Sequence, residues 1–178
     1  WAACARACRQ LWAEHGDLAA RVRGVGVTTQ RGTIMPVDAQ GRAVLPALIW
    51  LDQRRATQVP RINAAWRTAF RLAGVADTIR YFQREAEVNW WAEHEPAAWA
   101  RTHKVLLLSG LLNWKLTGDF VDSIGSQVGY VPFYFKAHGW AAPSDWKWQA
   151  LAIRRGVPRR LSVLGAMPSA CSISGAAR

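Results

Sequence analysis

GVGVTTQRGTIMPVDAQGRAVLPALIWLDQRR, residues 24–55, mixes a β-branched run, tight turns and clustered polar side chains in one short stretch. The run that leads into it, residues 22–28, is short, β-branched and interrupted by Gly24 and Gly26. That pattern predicts a buried strand in the middle of a sheet, at a point where a neighbouring backbone or a ligand comes close. The chain then turns polar at Thr28, Thr29, Gln30 and Arg31. In an open α/β sheet ligands bind beyond the carboxyl ends of strands, and the polar cluster falls at such an end. Further extended runs over residues 33–37 and 43–51 are separated by Asp38-Ala39-Gln40-Gly41-Arg42, a loop whose length and glycine predict a hairpin. Asp52 follows as the expected N-cap of a helix over residues 53–66, because its side chain can accept from the free N–H groups of a first turn.

Upstream, Trp1, Cys4, Cys8, Leu11, Trp12 and Leu18 recur at helical spacing over residues 1–20, predicting an amphipathic helix packed on a sheet, with Gly16 and Asp17 able to end it early. Cys4 and Cys8 are neighbours on one helix face and read as core packing. Downstream, residues 85–95 read as a helix with Val88, Trp91 and Ala92 on one face, and Pro96 opens a short helix because a first helical position tolerates proline. Residues 104–108 read as a strand or the lead into the next helix; Ser109 is the expected cap of a helix over 110–116, which Thr117-Gly118 stops. Residues 120–126 are polar, 130–135 extended and aromatic, and Ser144 is the expected cap of a helix over 145–155. After Pro158 the pattern fades into a Ser-, Gly- and Ala-rich stretch. The alternation of strands and helices indicates an α/β fold with a mixed sheet flanked by helices.

With 178 residues, 51% of them apolar, the chain can bury one sizeable core and reads as one domain. No window approaches the roughly 20 apolar residues of a membrane span. The first residues lack a charged start and a cleavage site, so a soluble, cytoplasmic protein with no membrane partner is expected. Three cysteines without Cys-x-x-Cys spacing support neither a disulfide framework nor a zinc site. His15, His103 and His138 are isolated, and Glu93-His94-Glu95 does not set two ligands on one helix face, so no metal site is expected. The net charge of +11 would suit nucleic acid, yet the arginines are scattered as pairs such as Arg54/Arg55 and Arg159/Arg160 rather than gathered in a stripe. Nucleic-acid binding is therefore not favoured.

The order Gly26-Val27-Thr28-Thr29-Gln30-Arg31, then Pro46-Ala47-Leu48-Ile49-Trp50-Leu51-Asp52-Gln53-Arg54-Arg55, then Leu111-Leu112-Asn113-Trp114-Lys115-Leu116-Thr117-Gly118-Asp119-Phe120, resembles the amino-terminal domain of the FGGY carbohydrate kinases, the family of glycerol kinase and xylulokinase. The polar turn after Val121-Asp122 and the segment from Trp140 to Gly156-Val157-Pro158 extend the likeness to most of the chain. The resemblance implies a ribonuclease H-like, actin-like domain that moves the γ-phosphoryl group of MgATP to a hydroxyl of a sugar or polyol. It further implies that residues 1–178 form a partial acceptor-binding domain without its first strands, and that the ATP-binding domain lies elsewhere. On that ground MgATP is expected for the complete enzyme and not for this chain alone, which is expected to be inactive. A homo-oligomer is compatible with these features.

Residue by residue, Gln30 and Arg31 match the family's Gln-Arg motif, whose arginine resembles a clamp for acceptor hydroxyls; a guanidinium fork can donate to two oxygens at once. Trp50 matches a tryptophan that lies along the acceptor's carbon chain, with core packing the competing reading, and Tyr81 falls near a substrate-binding tyrosine. Gly32 departs from the pattern: glycerol kinases carry a Glu there, and the Met-His pair of xylulokinases is also missing. A glycine leaves room for an acceptor larger than glycerol. No catalytic base is expected within the chain, since Asp52, Asp119 and Asp122 read as capping and turn residues.

Overall fold

In a computed structural model of the chain, residues 1–59, 61–127, 133–137, 139–142 and 144–151 are described. The structure begins with α1 (Ala2–Glu14) and a short α2 (Gly16–Ala19), parted at His15. The break beside Gly16 agrees with the sequence, but the packing does not: neither helix buries a residue. Trp1, Leu11, Trp12 and Leu18 are exposed, and so are Cys4 and Cys8, which overturns the expectation of core packing. An apolar stripe is buried only where another apolar surface opposes it, and no described element covers this one.

The strand expected over residues 22–28 is likewise not formed. Residues 22–30 are irregular and largely exposed, and nothing lies within 4 Å of where a Cβ on Gly24 or Gly26 would point. A strand exists through its partner's hydrogen bonds, and among the described residues none runs alongside this segment.

Order sets in at β1 (Ile34–Val37), where the predicted hairpin does form. Bridges join Ile34 to Leu48 and Val37 to Ala43, so the second run touches β1 at its ends without becoming a continuous strand. The turn is closed by Asp38, whose Oδ1 accepts from the N–H groups of Gln40 and Arg42 at 2.9 Å each. Gly41 takes φ +68° there, a left-handed conformation that a β-carbon disfavours.

Of the helix expected over residues 53–66, only the last three residues are helical, as the start of the next helix. Asp52 does accept from the N–H of Arg54 at 3.0 Å, but the chain stays irregular until α3 (Ala64–Leu72), which Asn63 caps by accepting from Ala65 N. Two causes are visible. Pro60 has no N–H to give a helix, and residues 56–58 spend theirs elsewhere: Ala56 N on Arg84 O, and Thr57 N and Gln58 N on the Glu93 carboxylate.

Next come α4 (Ala76–Glu85), α5 (Glu87–His94) and α6 (Pro96–Arg101), with a break at Ala86 inside the run read as one helix from residue 85. Val88, Trp91 and Ala92 are buried as the spacing predicts, and Pro96 opens α6. The following β2 (Lys104–Leu107) pairs antiparallel with β1, Ile34 opposite Leu107 and Val37 opposite Lys104. The main core sits where α5 and α6 cover this ladder: Ile34, Leu48, Val88, Trp91, Trp99 and Val105 meet there, with the Trp91 and Trp99 rings stacked 6.4 Å apart. Phe70 and Ile79 join α3 to α4 in a smaller cluster.

Then α7 (Leu108–Thr117) ends, as read, on Gly118 at φ +81°. It starts earlier than predicted, so Ser109 lies inside it and does not cap it. A 3₁₀ turn (Ile124–Gln127), the hairpin of β3 (Phe133–Tyr134) with β4 (Gly139–Trp140), and α8 (Trp146–Leu151) complete the described chain. Asp145, not Ser144, serves the start of α8, accepting from Lys147 N at 2.8 Å. Residues 130–132, the end of the helix expected to reach 155, and everything after 151 lie outside the described residues. Both ladders among the described residues are antiparallel and two-stranded, so the α/β content is as expected but the mixed sheet is not formed there.

Candidate functional site

Three segments meet around a cleft of about 380 Å³. One wall is the polar run 27–31 singled out in the sequence; Leu107 and Ser109 stand opposite, and Ser123, Gly125 and Ser126 close it. Backbone bonds set this geometry. Leu108 N donates to Thr33 O at 3.0 Å, fastening the start of α7 to the residue just after the polar run. Gln30 Nε2 donates to Thr33 Oγ1 at 2.9 Å, which fixes the Gln30 amide against buried Thr33.

The 3₁₀ turn is held from behind by Asp122. Its Oδ2 accepts from Ser109 Oγ at 2.8 Å and its Oδ1 from Ser123 N at 2.7 Å, with Asp122 and Ser109 both buried. Gly110 makes this possible, since a Cβ there would already stand 3.3 Å from Asp122 Oδ2. Asp122 is thus a clamp between α7 and the turn, the turn role expected for it. Asp52 is a local partner for Arg54, whose guanidinium holds the Asp52 carboxyl below its ordinary range.

Among the residues predicted from sequence, the structure brings Gln30 and Arg31 into the cleft. Arg31 is exposed, and no carboxylate among the described residues pairs with it. Gly32 does not line the cleft; it adopts φ +77°, a backbone turn that a side chain would strain. Trp50 and Tyr81 do not line the cleft. They are 62% and 50% exposed, which removes the core-packing reading of Trp50 and leaves both rings accessible. The Arg55 guanidinium stands 5.4 Å over the Tyr81 ring and pairs with Glu85. Thr28 and Thr29 line the cleft with the rest of the polar run, and Ser109, Ser123 and Ser126 join them although the sequence reading assigned these three serines no ligand role. Hydroxyls carry little signal in a linear sequence, and only the fold brings residues so far apart in the chain together.

Chemically the cleft offers one guanidinium and several hydroxyls on a fixed frame. Among the described residues no three carboxylates, histidines or cysteines converge to hold a metal ion, and no helix is long and apolar enough to cross a membrane.

Comparison with known proteins identifies a family. Residues 1–140 match the model of the N-terminal domain of the FGGY family of carbohydrate kinases. Over 166 residues, 90% of the chain, it is 28% identical to a glycerol kinase of Rhodopseudomonas palustris, and over 118 residues, 66% of the chain, 31% identical to an L-fuculokinase of Escherichia coli K12. The chain spans about a third of the length of the first of these and a quarter of the second, 32% and 24%. A crystal structure described as a xyloylose kinase from Brucella ovis superposes on 78% of the chain and 28% of its own, with a TM-score of 0.59 at 24% identity, a likeness of fold. The chain belongs to the FGGY family of carbohydrate kinases and carries that family's N-terminal domain.

Proposed function

We propose that residues 1–178 are the acceptor-binding part of an ATP-dependent kinase that phosphorylates a hydroxyl of a sugar or polyol, on a ribonuclease H-like, actin-like scaffold in the cytoplasm. The observation that carries the reading is the cleft: the family's Gln-Arg motif lies in it with the Arg31 guanidinium unpaired among the described residues, free to donate to two ligand oxygens. Gln30 is held by Thr33 at a fixed angle to the same space. Gly32 keeps a bulkier side chain out of the turn that follows Arg31, which favours an acceptor larger than glycerol.

Phosphoryl transfer depends on positioning and on stabilising spread-out negative charge. This chain's share is positioning: Arg31 and the hydroxyls hold the acceptor, while Asp122 keeps the wall in place. MgATP, the proposed donor, supplies the phosphoryl group. No residue of this chain is assigned to it, and a separate ATP-binding domain is proposed to hold it.

The test uses enzyme expressed from the complete reading frame containing these residues, assayed with ATP across a panel of polyols, ketoses and glycerol. Phosphorylation of a larger acceptor, falling roughly a hundredfold in kcat/KM for Arg31→Met, is expected. Glycerol as clearly the best acceptor would refute the size argument. Binding of sugars without any transfer would make the chain a binding module instead.

A further inference from the structure

The connection between α3 and α4 forms an apolar tip. Leu72, the last residue of α3, is 85% exposed, more than any other large apolar side chain among the described residues, and Val75 is 38% exposed. Between them Ala73 and Gly74 carry no polar side-chain group, and nothing lies within 4 Å of where a Cβ on Gly74 would point. The tip is firmly held from within: Val75 N donates to Phe70 O at 3.0 Å and Ala73 N to Ala69 O at 2.9 Å, while Phe70 packs with Ile79 and stacks on Trp66 at 5.8 Å. Residues 61–84 also hold five arginines against a single acid, Asp77 in the first turn of α4. Arg84 is engaged, its Nε donating to Ala56 O at 3.3 Å. Arg67, Arg71 and Arg80 are exposed and make no ion pair among the described residues. Arg67 stands five residues before Leu72 and Arg80 five after Val75, about 7 Å along a helix that rises 1.5 Å per residue. Arginines that look scattered in the sequence thus flank one apolar projection.

From this juxtaposition we infer that the α3–α4 tip docks on the surface of an anionic membrane, with Leu72 and Val75 entering the boundary of the acyl chains and Arg67, Arg71 and Arg80 meeting the lipid phosphates. An element that lies in the interface buries its apolar part by roughly 5–10 Å, which matches the distance between the tip and the flanking arginines. Long arginine side chains keep their heads at the phosphates while their stems cover apolar surface, and the guanidinium fork suits phosphate oxygens. A nucleic acid would satisfy the arginines and leave Leu72 in water; a membrane takes both. The sequence spoke against a membrane partner through the lack of a spanning segment, and surface docking needs none. The inference is independent of the assignment of the cleft.

The test is flotation of protein expressed from the complete reading frame containing these residues, with vesicles of equal parts phosphatidylglycerol and phosphatidylcholine and with vesicles of phosphatidylcholine alone. The buffer holds about 0.1 M salt, in which a surface charge is still felt across about 10 Å. Binding to the anionic vesicles is expected to be roughly tenfold or more the tighter. Leu72→Gln should weaken it about tenfold, through the loss of apolar burial. Arg67→Gln, Arg71→Gln and Arg80→Gln combined should weaken it roughly a hundredfold, at about fivefold for each arginine near the surface. Arg6→Gln, Arg9→Gln and Arg21→Gln combined remove the same charge from exposed positions on and beyond α1, and should leave the binding unchanged. Unchanged thermal melts show that the tip variants do not act by unfolding. Equal binding to phosphatidylcholine alone, anionic binding that survives either tip variant, or an equal loss in the α1 variant would overturn the inference. So would failure to bind either vesicle while a single-stranded oligonucleotide binds through the three tip arginines, which would make the face one for nucleic acid.

Discussion

At the scale of single residues, two glycines with the same backbone and different surroundings separate steric from conformational cost. Gly41 and Gly74 have φ +68° and +69°. A Cβ on Gly41 would stand 2.3 Å from Cζ2 of Trp114, whereas nothing lies within 4 Å of one on Gly74. Trp114 has little freedom to retreat, since its ring stacks on Phe120 at 5.6 Å and carries Lys115 Nζ at 4.4 Å. Gly74→Ala should therefore cost only the left-handed backbone, about 1 kcal/mol. Gly41→Ala should add a further ~1–3 kcal/mol for overpacking. Urea unfolding of both variants measures the difference, and equal midpoints would mean that Trp114 moves aside freely. Glu87 gives a second prediction. Burial, and after it the nearby carboxylates of Asp52 and Glu85, push its carboxyl above the usual range. For a carboxyl raised in this way, its contribution to stability is full below the unfolded value of 4.5 and declines as pH rises through the folded one. Glu87→Gln should consequently melt higher than the native chain at pH 7, with the gap closing near pH 4; a variant less stable at pH 7 would show that the carboxylate has a partner worth more than its burial costs.

At the scale of elements, what could be read from sequence depended on whether neighbours in the chain are also neighbours in space. The inward face of α5, the opening of α6 at Pro96 and the stop of α7 at Gly118 are set by local spacing and backbone chemistry, and all were legible. Residues 53–62 were misread as a helix because what holds them is remote: Ala56 N bonds to Arg84 O, and Glu93 on α5 accepts from Thr57 N at 2.8 Å, from Thr57 Oγ1, and from Gln58 N at 3.2 Å. Glu93 is thus a clip between an irregular segment and the helix that covers the β1–β2 ladder. Hydrogen bonding to Thr57 lowers its carboxyl from the ordinary 4.5. For a lowered carboxyl the stabilisation is present above the unfolded value and disappears as pH falls through the folded one. Glu93→Ala should cost ~1–3 kcal/mol at pH 7, because three donors lose a charged acceptor. The native chain and the variant should converge in strongly acidic buffer. A difference that persists there would assign the effect to packing of the side chain rather than to its charge.

At the scale of the whole molecule, order is unevenly distributed, and the sequence misjudged where it begins. Residues 22–28 carry a strand's composition, and Trp1, Leu11, Trp12 and Leu18 a helix's apolar stripe, but composition says only what a segment can bury and not whether a surface is there to receive it. The cleft was half legible for the same reason: Gln30 and Arg31 announce themselves by motif, while Ser109 and Ser126 reach the site only through the Asp122 clamp and the β1–β2 pairing. Among the described residues, ladders, helices and cross-links engage much of the backbone after Thr33, whereas residues 23–30 make no backbone hydrogen bond among those of the turns and loops, and α1 buries nothing. Proteolysis reads such a contrast, because a protease needs several residues of chain to leave their contacts, and the local cost of doing so ranges from almost nothing to the global stability. Arg21, Arg23 and Arg31 are exposed in or beside this stretch, while Arg67, Arg71 and Arg80 are equally exposed but lie within α3 and α4. Within residues 1–127, limited trypsin treatment should cut first between residues 21 and 31, and mass spectrometry should find the fragment beginning after the cut still resistant through α3 to α7. A first cut at Arg67, Arg71 or Arg80 would mean that the helical layer opens more readily than the amino-terminal arm, and with it that the frame holding Arg31 in the cleft is weaker than its hydrogen bonds imply.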